Sequence, residues 1–275
     1  MSRIERALER AAQIRNSSPV AVVAENPQNE GTPPTRESSS RTITINSDDR
    51  LLVTLTEPHS AVSEQYRKLK SSLVRLANEG GFRNLLMVTS AVAGEGKSLT
   101  AANLAVSMAQ EYDLTVLLID ADLRRPSIHE YLGFEQTIGL SDCLQDGIDI
   151  GDAIIKTSIS KLSVISAGRE VEKPLELFAS KKMQKTMAEI KHRYNDRYVI
   201  IDTPPLLPFA ETRSLAHLVD GIVLVIQEGV TSQESVFEAK EILNGCPILG
   251  VVLNYSTAVN TGNSHYSSYY CRQAV

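Results

Sequence analysis

Apolar residues along this chain fall into two alternating patterns. The runs LLMVTSA, TVLLIDAD, LSVISAG, YVIIDTPP, GIVLVIQ and ILGVVLN are continuous, and the stretches between them carry apolar residues at helical spacing. Continuous short runs read as strands buried on both faces, and amphipathic segments between such strands build a parallel sheet covered by helices. The pattern therefore predicts a doubly wound α/β fold with helices on both faces of the sheet. Ahead of the first run, AVSEQYRKLKSSLVRLA places Val62, Tyr66, Leu69, Leu73 and Leu76 on one face and basic residues on the other, which predicts a helix.

The opening residues follow different rules. MSRIERALERAAQIR sets Ile4, Leu8, Ala11 and Ala12 at helical spacing among Arg and Glu, so an amphipathic helix is expected over residues 1–18. From Asn26 to Asp49 the chain is rich in Pro, Ser, Thr and Gly, and a flexible linker is expected over 19–50. The folded domain is expected over 51–256 and a tail over 257–275. No run of about 18 apolar residues occurs, so the chain is expected to have no transmembrane segment of its own. The start also lacks the apolar core of a secretory signal.

Composition narrows the class. At 275 residues and 42% hydrophobic, the chain has the length and apolar content for one large α/β domain with appendages. A net charge of -5 gives no global basic field, which argues against nucleic acid as a partner. Cys143, Cys246 and Cys271 are far apart, so neither a disulfide framework nor a zinc site is expected, and a reducing cytoplasm fits best. The five histidines are likewise scattered.

The chemistry is concentrated at the ends of three strands. After LLMVTS comes AVAGEGKS and then a helical pattern, the strand-loop-helix setting of a phosphate-binding loop. Backbone N–H groups and side chains of Ala93, Gly94, Glu95, Gly96, Lys97, Ser98 and Leu99 are expected to bind the nucleotide. Lys97 would supply charge to the β- and γ-oxygens and Ser98 would ligate magnesium. The first glycine of G-x-x-x-x-G-K-[ST] is Ala91 here. VLLIDADLRRP ends a strand with Asp120 and Asp122, and YVIIDTPP ends another with Asp202. Ligands of open α/β sheets bind at the carboxyl ends of the strands, so these acids are expected beside the phosphates. Asp120 and Asp202, with Ser98, are the expected metal ligands; Asp120 or Asp122 would take up a proton. Lys97, Asp120, Asp122 and Asp202 thus form the expected catalytic set of a nucleotide hydrolase or phosphotransferase. No G-x-G-x-x-G follows the first strand, which excludes a dinucleotide fingerprint.

Together AVAGEGKS, LLIDADLRRP, VIIDTPP and the terminal HYSSYY resemble the bacterial tyrosine kinases of polysaccharide biosynthesis, which are P-loop enzymes. MSRIERALERA is similar to the exosortase-associated branch of that family. The resemblance implies an ATP- and Mg2+-dependent autokinase whose substrates are Tyr266, Tyr269 and Tyr270, phosphorylated by a neighbouring subunit of a homo-oligomer. It implies a role in exopolysaccharide polymerisation and export, a membrane polysaccharide co-polymerase as activator, and a peripheral place at the inner face of the plasma membrane. The family's E-x-x-R-x-x-R interface helix corresponds here to Glu64, Arg67 and Lys70, with lysine in the last place. Because ILGVVLN reads as a parallel strand, the tail leaves from the catalytic edge of the sheet. The stretch from Asn254 to Tyr266 spans about 40 Å extended or about 19 Å as a coil. Two alternatives remain: a positioning or partition-type ATPase, whose extra loop lysine is Val92 here, and an ATP-dependent scaffold of an export complex.

Overall fold

The computed structural model describes residues 42–45, 51–79 and 84–257. All of them belong to one compact unit, residues 39–275. The expected N-terminal helix, most of the expected linker and the tyrosine cluster lie outside the described residues.

Among the described residues the sheet has eight strands. β1 (Thr42–Ile43), β2 (Leu85–Ser90), β3 (Val116–Asp120), β4 (Ile155–Thr157), β5 (Leu162–Ile165), β6 (Tyr198–Asp202), β7 (Gly221–Gln227) and β8 (Ile248–Asn254) lie in the order β1-β4-β5-β3-β6-β2-β7-β8. β5, β3, β6, β2, β7 and β8 run parallel, while β4 opposes β5 and carries β1 with it. Every residue of β2, β3 and β6 is buried. Leu85 and Met87 enter one apolar cluster and Leu86 and Val88 the other, because successive side chains point to opposite faces. A sheet covered on both sides has no polar face, which is why these runs are unbroken.

Two expectations are corrected here. Part of the stretch expected to be linker is strand: Thr42 and Ile43 pair with Lys156 and Thr157, and Ile45 is buried. β8 is not buried on both faces, since it is an edge strand with Val251 54% and Leu253 50% exposed.

Three helices matter most for the site. α1 (Val53–Thr56) and α2 (Ala61–Asn78) precede α3 (Lys97–Ala109), which is buried at every position from Thr100 to Ala109 and forms the centre of its layer. Thr54 N–H and Oγ1 donate to Asn103 Oδ1 at 3.1 and 3.0 Å, and Asn103 Nδ2 donates to the Leu51 carbonyl at 2.9 Å, fastening α1 to α3. α2 is capped by Ser60, whose side chain accepts from Ser63 N–H. It buries Ser63, Lys70, Leu73 and Ala77 and turns Tyr66, Leu69 and Leu76 to a groove of about 640 Å³ shared with β8.

Candidate active site

β2 delivers the chain into the phosphate loop at the carboxyl edge of the sheet. Ala91 is buried, its carbonyl accepts from Leu207 N–H at 3.1 Å, and its backbone stays out of the left-handed region. The position therefore needs no glycine. Gly94 (φ +88°) and Gly96 (φ +83°) do need to be glycine, because an L side chain is strained there.

The loop is braced by groups far away in the chain. Glu95 is buried; its Oε2 accepts from Val92 N–H at 2.8 Å and its Oε1 from the Thr231 hydroxyl. Asn254, the last residue of β8, donates from Nδ2 to the Glu95 carbonyl at 2.9 Å. A Cβ on Gly96 would overlap that Asn254 amide. Lys97 then opens α3.

Around Lys97 the acids converge. Its Nζ donates to Ser98 Oγ at 2.8 Å, pairs with Asp122 Oδ2 at 2.7 Å and stands 3.5 Å from Asp202 Oδ1. Burial alone would push the Lys97 ammonium down, but Asp202 and Asp122 outweigh it and raise it. Asp120 and Asp202 are register partners on adjacent strands. Asp120 Oδ2 accepts from Ser127 and Ile128 N–H, each at 3.1 Å, and Oδ1 accepts from Asp122 N–H at 3.1 Å. It thereby shapes the turn into α4 (Ile128–Leu132). Burial and the facing Asp202 push Asp120 up to about 8, against the Ile128 N–H. Asp122 Oδ1 accepts from Arg125 N–H at 3.1 Å.

Asp202 is fully buried, and neither oxygen accepts a hydrogen bond of good geometry from any described residue. Burial pushes it up to about 6, with Lys97 opposing. Three carboxyls around one ammonium leave an excess of negative charge, and orphaned carboxylate oxygens beside a hydroxyl are donors that suit a hard divalent cation.

Lys97, Ser98, Asp120, Asp122 and Asp202 are thus brought together, with Ala93, Gly94, Glu95, Gly96 and Leu99 forming the loop and first turn beside them. Arg124 is turned away to Glu211 of α5 (Ala210–Ala216), with its guanidinium 4.4 Å over the Phe209 ring. Arg67 pairs with Glu64 at 2.7 Å, whereas buried Lys70 pairs with Glu111 beyond the end of α3. Tyr266, Tyr269 and Tyr270 lie outside the described residues. Asn254 is uncharged and so gives no signal among the strand-end acids, although it ends a strand at the same edge. The Glu95 side chain, Thr231 and Glu211 carry no local signal.

Fold and site define a P-loop NTPase. The family model described as ParA: NUBPL iron-transfer P-loop NTPase matches residues 81–275. The tyrosine-protein kinase YwqD of Bacillus subtilis (strain 168) is 40% identical over 207 residues, which are 74% of this chain and 86% of that protein. The putative tyrosine-protein kinase CapB of Staphylococcus aureus is 33% identical, over 78% of this chain and 92% of its own. The crystal structure of the chimerical protein CapA2B2 matches with a TM-score of 0.68 at 30% identity, over 78% of this chain and 92% of that one. The chain belongs to the bacterial tyrosine-protein kinases within the P-loop NTPases.

Proposed function

We propose that this chain is an ATP-dependent protein-tyrosine autokinase that phosphorylates Tyr266, Tyr269 and Tyr270 of its own tail, in trans within a homo-oligomer. The observation that carries the reading is the gathering of Lys97, Ser98 and the three acids at the sheet edge where β8 releases the tail.

In this mechanism the phenol oxygen approaches the γ-phosphorus in line. The new O–P bond forms as the bond to the β,γ-bridging oxygen breaks, ADP departs, and the phenol proton passes to Asp120. Burial and Asp202 push Asp120 up to about 8, so its ionised form, which is the one that accepts the proton, grows as pH rises toward that value. Lys97 stabilises charge on the β- and γ-oxygens, and Asp122 positions Lys97. Ser98 and Asp202, with Asp120 beside them, are the residues that would hold magnesium, which supplies neutralisation of the phosphate charge.

Kinship with YwqD and CapB supports a role in exopolysaccharide polymerisation and export, with a membrane polysaccharide co-polymerase as activator. No described helix is long and apolar enough to cross a membrane, so placement at the inner face of the plasma membrane would come through that partner. The test is incubation with Mg-ATP and mapping of phosphotyrosine by mass spectrometry, beside Lys97→Met and a chain ending at Ser264. Phosphate on the tail that disappears with Lys97→Met is the expected result. ATP hydrolysis without tail phosphate, even with the co-polymerase's cytoplasmic segment present, would return the chain to the partition-type ATPases.

A further inference from the structure

The residue after Asn254 stands out. Tyr255 has φ +56° and is the one non-glycine among the described residues with a left-handed backbone. A side chain branching into a large ring rarely adopts that conformation unless the surroundings impose it. Here they do. Glu228 N–H donates to the Asn254 carbonyl at 3.0 Å, the Glu228 carboxylate accepts from Thr257 N–H at 2.7 Å, and the Asn254 amide is fastened to Glu95.

The turn sets the Tyr255 ring against the phosphate loop. Its Cε2 lies 3.5 Å from where a Cβ on Gly96 would stand, yet the residue is 56% exposed. Such a residue is not packed into the core, and a plain surface tyrosine would not require a clamped left-handed backbone. The ring stands in the crevice outside the carboxyl ends of the strands, beside the start of α3, where ligands of open α/β sheets lie. Resting on the nucleotide reading above, we infer that Tyr255 is the platform on which the nucleotide base stacks, once its phosphates are seated over Gly94–Ser98. The face of an aromatic ring accepts any base, so the contact selects for nucleotides over inorganic polyphosphates rather than for one base. It also places the base beside the first residues of the substrate tail, since Tyr255 begins that segment.

The experiment is calorimetric titration of the full chain, with magnesium, using ADP and inorganic tripolyphosphate as probes. Wild type is compared with Tyr255→Phe and Tyr255→Ala. Tyr255→Ala should weaken ADP by about tenfold or more while leaving tripolyphosphate unchanged, and Tyr255→Phe should restore ADP binding. Equal loss of both probes would mean that the residue only supports the loop, and unchanged ADP affinity would mean that the ring touches no base; either overturns the assignment. Wild-type chain that binds neither probe would overturn the nucleotide reading itself.

Discussion

Asn254 Nδ2 donates to the Glu95 backbone oxygen at 2.9 Å, joining the last residue of the edge strand to the middle of the phosphate loop. The two residues are 159 positions apart, so the bond exists only in the folded sheet. Asn254→Ala should leave the core intact but loosen the loop, lowering ADP affinity by about fivefold to tenfold, the effect of one lost hydrogen bond. Gly96→Ala should do more, because it collides with the Asn254 amide and strains a φ of +83°. Titration of both variants with ADP checks the order.

The acid pair predicts a pH dependence of stability. Asp120 and Asp202 rise from 3.8 to about 8 and about 6 in the folded chain. A raised folded value means that each contribution is complete below the unfolded value and is lost as pH rises through the folded one. The wild-type Tm should therefore fall more between about pH 5 and about pH 9 than that of Asp120→Asn, and Lys97→Met should steepen the fall. Parallel Tm profiles for wild type and Asp120→Asn, read by differential scanning calorimetry, would refute the assignment.

Lys70 is committed to Glu111 of its own chain, with 8% of its side chain exposed against 48% for its partner. Lys70→Ala should cost about 1 kcal/mol of stability and leave the size of the proposed homo-oligomer unchanged. Arg67→Ala, which removes a more exposed group, should do the opposite. Thermal unfolding and native mass spectrometry separate the two.

Asn103→Leu should be the most destabilising of these changes. It leaves the Thr54 N–H and the Leu51 carbonyl without their partner in a buried setting, at a cost of about 2–3 kcal/mol. Urea unfolding at constant slope is the appropriate measurement.

Much of the sheet could be read from unbroken apolar runs, because β2, β3 and β6 are covered on both sides and carry no polar alternation. β1 and β4 have no signature in the sequence, because two and three residues are too few to show any period. β8 has the same apolar composition as the central strands, and only its place at the edge exposes Val251 and Leu253. The apolar stripe of α2 was legible, but not that Tyr66, Leu69 and Leu76 line a groove shared with β8. The lysine and the acids were legible because strand ends in such sheets converge. The braces from Thr231 and Asn254 were not, since they depend on pairs more than 130 residues apart.

Among the described residues β8 is hydrogen-bonded to a neighbouring strand on one side only, and its last side chain grips the loop that holds Lys97. The segment that follows β8 is thus moored at the rim of the molecule by a line that runs to the loop carrying Lys97. A pull on that segment is taken up by Glu228, through Thr257 N–H, and by Glu95, through the Asn254 amide.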